Sequence, residues 1–322
     1  MRIISWNVNG IRSNIVDFNT SKYKQERVVE VNSPLDLIMK KYNPDIICFS
    51  ECRLGEDNYH LFESKDLLSK YPYQYWKSSQ GTGARSGNRY SGTSIWSKIK
   101  AEKVIYNIEG LNDKEGRYIE LHFEEFLLIN VYTPNSGSNW DYRLTTWEKI
   151  ISNYLNELSV SNNIPIIYTG DLNVAPKKQD VYFGTLLESK LNNNITDSDE
   201  SKKKLKKKIK SKEGFHNGRS KTKLYGYTIE ERNAFKILLG NIYTDCYRYI
   251  NPNVFNKFTW FNIRIKDSFF FNIGWRIDHF LIQNKFKNII NKCDILYDIG
   301  VRNKDNKLIS DHLPILLEIK IF

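Results

Sequence analysis

Short apolar runs recur from one end of this 322-residue sequence to the other, and helical patterns fill the spaces between them. The runs are Arg2 to Trp6, Ile46 to Phe49, Thr93 to Trp96, Tyr118 to Phe123, Leu127 to Tyr132, Ile164 to Thr169, Phe280 to Ile282 and Ile315 to Ile321. Most place Ile, Leu, Val and aromatics on consecutive positions, the pattern of strands covered on both faces. Tyr118 to Phe123 alternates in part, which predicts a half-exposed strand. Helical periodicity covers Pro34 to Lys41, Leu61 to Leu68, Tyr142 to Leu158 and Glu230 to Leu239, with Pro34 and Thr228 as start signals. Without a linker-like break or an internal repeat, the interleaving predicts one large α/β domain spanning 1–322. Its architecture is a four-layer α/β sandwich, two packed mixed β-sheets flanked by helices.

The ends of these runs carry the chemistry. Trp6 is followed by Asn7, Ser50 by Glu51, and Thr169-Gly170 by Asp171-Leu172-Asn173. Val131 leads to Tyr132-Thr133-Pro134-Asn135, Ile277 to Asp278, and Ser310 to Asp311-His312. Any one such ending is ordinary turn chemistry. Together they collect carboxylates, amides, a tyrosine and a histidine where strand ends of a sandwich converge on one cleft. Glu51 and Asp311 suit a hard divalent cation, which uses one or two carboxylates and keeps several waters. Asn7 and Asn173 offer donors to phosphate oxygens or to a nucleophile, and Asp278 can hold the imidazole of His312 in one tautomer. That set fits hydrolysis of a phosphodiester with water as nucleophile. No Ser or Cys stands in a nucleophile-elbow context, and Gly81-Thr82-Gly83 lacks the setting and the Lys of a phosphate-binding loop.

Charge points the same way but less specifically. Lys and Arg number 48 against 37 Asp and Glu, a formal net charge of +11. The segment 184–223 holds 12 of those bases and 5 of the acids, so +7 sits there and +4 on the remainder. Its block charge predicts a solvated, flexible insertion: an inert one, an arm for nucleic acid or a nuclear-import signal. Four scattered cysteines (Cys48, Cys52, Cys246, Cys293) are too few to staple such a chain and read as reduced structural thiols, not a zinc site. No stretch is long and apolar enough for a membrane span, and the first residues lack the shape of a signal peptide. The expectation is an unsecreted, intracellular protein that begins directly on its first strand, with no leading extension.

In order and in kind, these motifs resemble the exonuclease III family of apurinic/apyrimidinic endonucleases, within the endonuclease–exonuclease–phosphatase superfamily. The resemblance runs almost the full chain. It begins with Ile4-Ser5-Trp6-Asn7-Val8-Asn9-Gly10-Ile11-Arg12 and continues through Ser50-Glu51-Cys52-Arg53, Tyr90-Ser91-Gly92-Thr93 and Gly116-Arg117. Tyr132-Thr133-Pro134-Asn135-Ser136-Gly137 and Gly170-Asp171-Leu172-Asn173-Val174-Ala175 follow, and Ser310-Asp311-His312-Leu313-Pro314 closes the site. Gly226 to Arg232, Thr259-Trp260-Phe261 and Gly274-Trp275-Arg276-Ile277-Asp278 look like segments typical of the abasic-site enzymes.

The resemblance implies Glu51 as principal Mg²⁺ ligand, aided by Asp311 and by Asn9 or Asn7 through water, with Mn²⁺ as a substitute. It implies Asp171 at the attacking water, with Asn173 and Asn7 holding it, and Tyr132 and His312 on the scissile phosphate with Asp278 behind. Which group deprotonates water, and which protonates the leaving oxygen, stays open. Trp260, Trp275 and Ile277 would wall a pocket for a baseless sugar, with Asn135 and Arg117 also binding substrate. The implied activity is Mg²⁺-dependent cutting 5′ to an abasic site in double-stranded DNA, by a monomer, in base excision repair, with 3′-exonuclease or 3′-repair activity as an accompaniment. The rivals are a retrotransposon-type or non-specific nuclease of the same superfamily, a lipid phosphoesterase and a non-catalytic DNA-binding module. Three departures stand out: Cys52-Arg53 beside Glu51, a shortened loop from Asn135 to Tyr142, and His279 after Asp278, which reads as a solvent-facing or packing residue.

Overall fold

Neighbouring residues of the apolar runs enter different cores. Ile3, Ile46 and Cys48 face a core shared with Ile119, Leu121, Leu128, Ile167, Phe280 and Ile282. Their neighbours Ile4, Ile47 and Phe49 face a second core with Leu35, Ile38, Phe62 and Leu67. A third core packs Ile129, Val131, Ile166 and Tyr168 against Trp147, Ile151, Leu155, Phe235 and Leu238. Strand side chains alternate between faces, so a run buried on both sides must be apolar throughout. Truncating one such Leu or Ile to Ala costs about 2–5 kcal/mol.

The computed structural model describes residues 1–14, 33–80, 90–182, 224–265, 267–301 and 308–321. The Lys-rich insertion expected at 184–223 lies outside them. Among the described residues two six-stranded sheets stack face to face. The first runs β13 (Ile290–Ile295), β14 (Ile315–Ile319), β1 (Arg2–Asn7), β2 (Ile46–Ser50), β4 (Thr93–Ser97), β3 (Tyr73–Lys77). The second runs β5 (Lys103–Ile105), β6 (Tyr118–His122), β7 (Leu127–Tyr132), β8 (Ile166–Asp171), β12 (Asp278–Gln283), β9 (Tyr243–Asp245). A two-stranded ribbon joins β10 (Trp260–Phe261) to β11 (Gly274–Trp275). With helices Pro34–Tyr42 and Lys65–Lys70 outside one sheet, and Glu148–Ser161 and Ile229–Leu239 outside the other, the sandwich has the four expected layers.

Each sheet has one parallel pair at its centre, β1 with β2 and β7 with β8. Each pair is flanked by a strand running the other way: β14 beside β1, β12 beside β8. Asn7, Glu51, Tyr132 and Asp171 therefore leave the same edge at which β12 and β14 begin. This corrects the sequence reading for two positions: Asp278 is the first residue of β12 and His312 precedes β14, so neither ends a strand. Antiparallel pairing still delivers them, since Asp278 is the register partner of Asp171.

Three local expectations change, and in the first the helix expected over Leu61 to Leu68 is a 3-10 turn, Glu56–Phe62, followed by a separate helix, Lys65–Lys70, capped by Ser64. The strand from Tyr118 is buried at its first four residues, because Glu120 bonds internally: the Tyr118 and Tyr154 hydroxyls donate to it and the His122 ring contacts it. The helix expected from Tyr142 opens with a π-helical segment, Tyr142–Trp147, before Glu148–Ser161. The cap signals act as read: the Ser33 hydroxyl accepts from Asp36 N ahead of Pro34, and Thr228 and Glu231 form a capping box.

Gly170 pins the two central strands beside the site. Its φ is +134°, and a Cβ there would stand 1.9 Å from the Val131 carbonyl oxygen. Gly170→Ala is expected to cost about 3 kcal/mol, the upper end of overpacking. A shifted urea midpoint at unchanged slope is the measurement; an unchanged midpoint contradicts the register.

Candidate active site

Asn7 is the hinge of the cleft. Its Nδ2 donates to Asp171 Oδ2 at 2.9 Å and to Glu51 Oε2 at 3.1 Å, linking the two sheets through one amide. Its Oδ1 accepts from Asn9 N at 3.1 Å, and Asn9 Nδ2 donates to Asp311 Oδ1 at 2.9 Å. Asp311 Oδ2 accepts from the Trp260 indole at 3.0 Å. Both candidate ligand carboxylates are thus oriented by groups on the β1 turn, and one also by the pocket wall. Asn9, Glu51, Arg53 and Asn173 all have positive φ, between 48° and 57°. Such backbone is costly for side-chain-bearing residues and gathers where placement matters.

Asp171 is 2% exposed. Oδ1 accepts from Asn173 N at 2.9 Å, and Asn173 Nδ2 is tied to the Thr133 carbonyl at 2.8 Å. His312 Nε2 lies 3.8 Å from Asp171 Oδ2, while its Nδ1 is 2.9 Å from Asp278 Oδ2. Burial, then the neighbouring Asp278 charge, raise the Asp171 pKa above the ordinary carboxylate range. Burial alone would lower that of His312, but the Asp278 carboxylate outweighs it and pushes the imidazole up to about 10. A carboxyl with raised proton affinity and an imidazolium that keeps its proton at neutral pH therefore face one another.

Trp260 and Trp275 pair across the ribbon, rings 5.8 Å apart at 69°, and pack with Ile277, Ala175, Val181 and Tyr227. Gly226, with φ +90°, lets the chain pass the Trp275 ring: a Cβ would approach it to 3.1 Å. Gly226 N donates to both oxygens of buried Glu231, at 2.9 and 2.8 Å, so the helix cap sets the pocket wall.

Of two further predicted substrate-binding residues, one lies buried behind the site and the other stands exposed beside Asn173. Arg117 is buried behind Tyr132, its guanidinium 4.4 Å from the ring centroid, donating to the Tyr132 carbonyl and Glu115. Asn135 is exposed, caps the helix Ser136–Asp141 and donates to Asn173 Oδ1 at 3.3 Å. Two groupings escape sequence reasoning. Arg143, in the π-helical segment, donates to the Pro134 and Leu172 carbonyls at 2.8 and 2.9 Å, bracing both loops that carry site amides. Arg276 sits among Asp180, Asp245, Arg248 and His279 in a buried ionic network. His279 is buried: Arg276 only donates, so its Nδ1 accepts and its Nε2 donates to the Val174 carbonyl at 2.8 Å. The only available signal was the Gly-Trp-Arg motif itself. All four cysteines are free and buried.

The cleft's donor set suits a divalent cation. Four carboxylates, Glu51, Asp171, Asp278 and Asp311, share it with His312 and Arg53, and Arg53 donates to Glu51 Oε1. Hard oxygen donors with amides between them are the chemistry of Mg²⁺ or Mn²⁺. The tightest grouping capable of ligation is nevertheless Asp171, Asp278 and His312, within 4.8 Å of one another. Among the described residues no helix is long and apolar enough to cross a membrane.

Comparison with known proteins agrees with this geometry. A family model described as the Endonuclease/Exonuclease/phosphatase family matches residues 4–312. The chain is 30% identical over 328 residues to an exodeoxyribonuclease of Bacillus subtilis, covering 100% of each. It is 27% identical to a DNA-(apurinic or apyrimidinic site) endonuclease of Dictyostelium discoideum, covering 98% of this chain and 69% of that one. Among solved structures, an AP endonuclease from Archaeoglobus fulgidus superposes with a TM-score of 0.67 at 21% identity, over 100% of both chains.

Proposed function

The chain belongs to the endonuclease/exonuclease/phosphatase family, and on that premise we propose that it is a DNA-repair nuclease of exonuclease III type. It hydrolyses the phosphodiester 5′ to an abasic site in duplex DNA, leaving a 3′-hydroxyl. The observation that carries this reading is the junction of two parts: the Asp171–His312–Asp278 cluster, and the tryptophan pocket bonded to it through Trp260 and Asp311. A baseless sugar costs little to extrude and fits an apolar wall that offers a base no partner.

In the proposed mechanism Asp171 accepts the proton of the attacking water, with Asn7 and Asn173 holding its carboxylate still. His312 donates a hydrogen bond through Nε2 to the phosphate, and Asp278, paired with Nδ1, keeps the ring protonated. As the water oxygen bonds to phosphorus the P–O3′ bond breaks, and the departing 3′-oxygen takes up a proton from solvent to give the 3′-hydroxyl. Tyr132, backed by Arg117, faces the same phosphate. Glu51 and Asp311, with Asn9, would hold Mg²⁺, which neutralises phosphate charge and eases ionisation of water. The pH dependence has a definite sign. Without the Asp278 charge only the weaker effects of Asp171 and Asp311 oppose burial at the imidazole, so Asp278→Asn is expected to bring the alkaline limb of the pH–rate profile to lower pH. An unmoved limb contradicts the pairing.

The test maps the ends produced from a duplex with one tetrahydrofuran residue, with Mg²⁺ and with EDTA. A 3′-hydroxyl 5′ to the lesion in Mg²⁺ only is the expected result. Cutting in EDTA contradicts the metal assignment, and a 3′-phosphate contradicts the bond assignment.

A further inference from the structure

Cys52-Arg53, the departure beside the candidate metal ligand, has a defined geometry. Glu51 and Arg53 both take left-handed backbone, with φ +57° and +51°. Four hydrogen bonds pin the turn: Gly10 N donates to Glu51 O at 2.8 Å, Ile11 N to Cys52 O at 3.0 Å, Cys52 N to Gly92 O at 3.0 Å and Arg53 N to Ser91 O at 2.8 Å. Cys52 packs into the core beneath and is 2% exposed. Its two neighbours meet at the cleft, where Arg53 Nε donates to Glu51 Oε1 at 3.0 Å and Nη2 donates to the same oxygen. The Glu51 side chain is 12% exposed and that of Arg53 43%.

Both oxygens of Glu51 are thereby engaged, since Oε2 accepts from Asn7 Nδ2 at 3.1 Å. A carboxylate oxygen offers two lone pairs. Arg53 takes both at Oε1, and Asn7 leaves one at Oε2. Burial alone would lower the proton affinity of the guanidinium, but the Glu51 charge outweighs it and Asp311 adds to that field. A side-chain cation thus stands among the carboxylates that would hold Mg²⁺. A metal ion needs lone pairs on the same oxygens, and two cations at one carboxylate repel. The pinned backbone holds Glu51 still, while the half-exposed Arg53 side chain is able to turn into water. Exchange of one cation for the other therefore needs no movement of the fold.

We propose that Arg53 competes with the divalent cation for Glu51, so that the metal enters by exchange with the guanidinium and Arg53 sets the metal affinity of the site. The inference rests on Glu51 as metal ligand in the function proposed above and adds a control on its loading. Four carboxylates share the cleft, and exchange leaves Glu51 with a positive partner before and after. Charge is what competes. A lysine at this position keeps the charge and loses only the two-nitrogen fork.

The experiment uses the full chain without DNA and Mn²⁺ as the probe, with free Mn²⁺ read from its paramagnetic resonance signal. Arg53→Gln is expected to bind Mn²⁺ about tenfold more tightly than wild type, the scale of one charge-assisted contact that no longer has to be broken. Arg53→Lys should stay within about threefold of wild type. The gain in Arg53→Gln should persist in about 0.5 M KCl, where a long-range field effect is screened and an exchange at contact is not. Its urea midpoint in EDTA should lie close to that of wild type, because a partly exposed ion pair contributes little to stability.

Equal Mn²⁺ affinity in wild type and Arg53→Gln overturns the exchange. Weaker affinity in the variant overturns it too and makes Arg53 a group that orients Glu51 for the metal. A lysine variant as tight as the glutamine variant, or a gain that vanishes in high salt, removes charge competition at contact as the cause. Wild type and variant that both fail to bind Mn²⁺ overturn the assignment of Glu51 as metal ligand, and the exchange with it. Wild type that binds beside an indifferent variant overturns only the exchange.

Discussion

Asp171→Asn is expected to lower the single-turnover rate of incision by about 10²- to 10⁴-fold, the span of a lost general base. Affinity for the abasic duplex in EDTA should change by less than about threefold. The side chain is almost fully enclosed, with Asn7 and Asn173 donating to its two oxygens. Asn preserves the volume and one acceptor, so the cleft keeps its shape. It cannot take up a proton at Oδ2, the oxygen that faces His312 Nε2 at 3.8 Å. A rate within tenfold of wild type would remove Asp171 from the proton transfer. A matching loss of affinity would make it a binding residue instead.

The second large effect falls on stability. Arg276 is 1% exposed. Its Nε donates to Asp180 Oδ1 at 2.7 Å and its Nη2 to Asp245 Oδ2 at 2.6 Å. Arg276→Ala leaves Asp245 buried without its guanidinium and Asp180 with Arg248 alone, and is expected to cost about 3–5 kcal/mol. The pH dependence follows from the same pairs. Burial alone would raise both acids, but Arg276, joined by Arg248 at Asp180, holds both below the ordinary carboxylate range. Depressed acids supply stability that is present above their unfolded pKa, about 3.9, and is lost as pH falls through the folded value. Loss of Arg276 should therefore move the acid-unfolding midpoint to higher pH, followed by circular dichroism against pH. An unmoved midpoint contradicts the network. Because Arg276 N also donates to the Asp180 carbonyl at 2.8 Å, the same pairs seat the segment from Trp275 to Asp278.

The layers of the fold are written in the chain because strands buried on both faces need unbroken apolar runs, as Ile3-Ile4 and Ile46-Ile47 show. Strand direction is not written there. Asp278 and His312 read as strand ends, but one starts a strand and the other precedes one, and only antiparallel pairing brings them to Asp171. Glu120 misled the exposure reading, since its partners Tyr118, His122 and Tyr154 satisfy it internally. The acids and amides of the cleft were legible because polar side chains at the ends of apolar runs are conspicuous. Arg143 was hidden by a helical pattern in which a charge normally faces water. The Arg276 network was hidden by distance, joining positions 180, 245, 248, 276 and 279.

The central claim is that catalytic cluster and tryptophan pocket act together on a baseless nucleotide. The most direct measurement is the ratio of kcat/KM for incision of a tetrahydrofuran duplex to that of the same duplex undamaged, in Mg²⁺. A preference of at least about 100-fold is expected, matching the few kcal/mol needed to unstack a normal nucleotide. Equal rates on the two duplexes would contradict the account and leave a nuclease without lesion specificity.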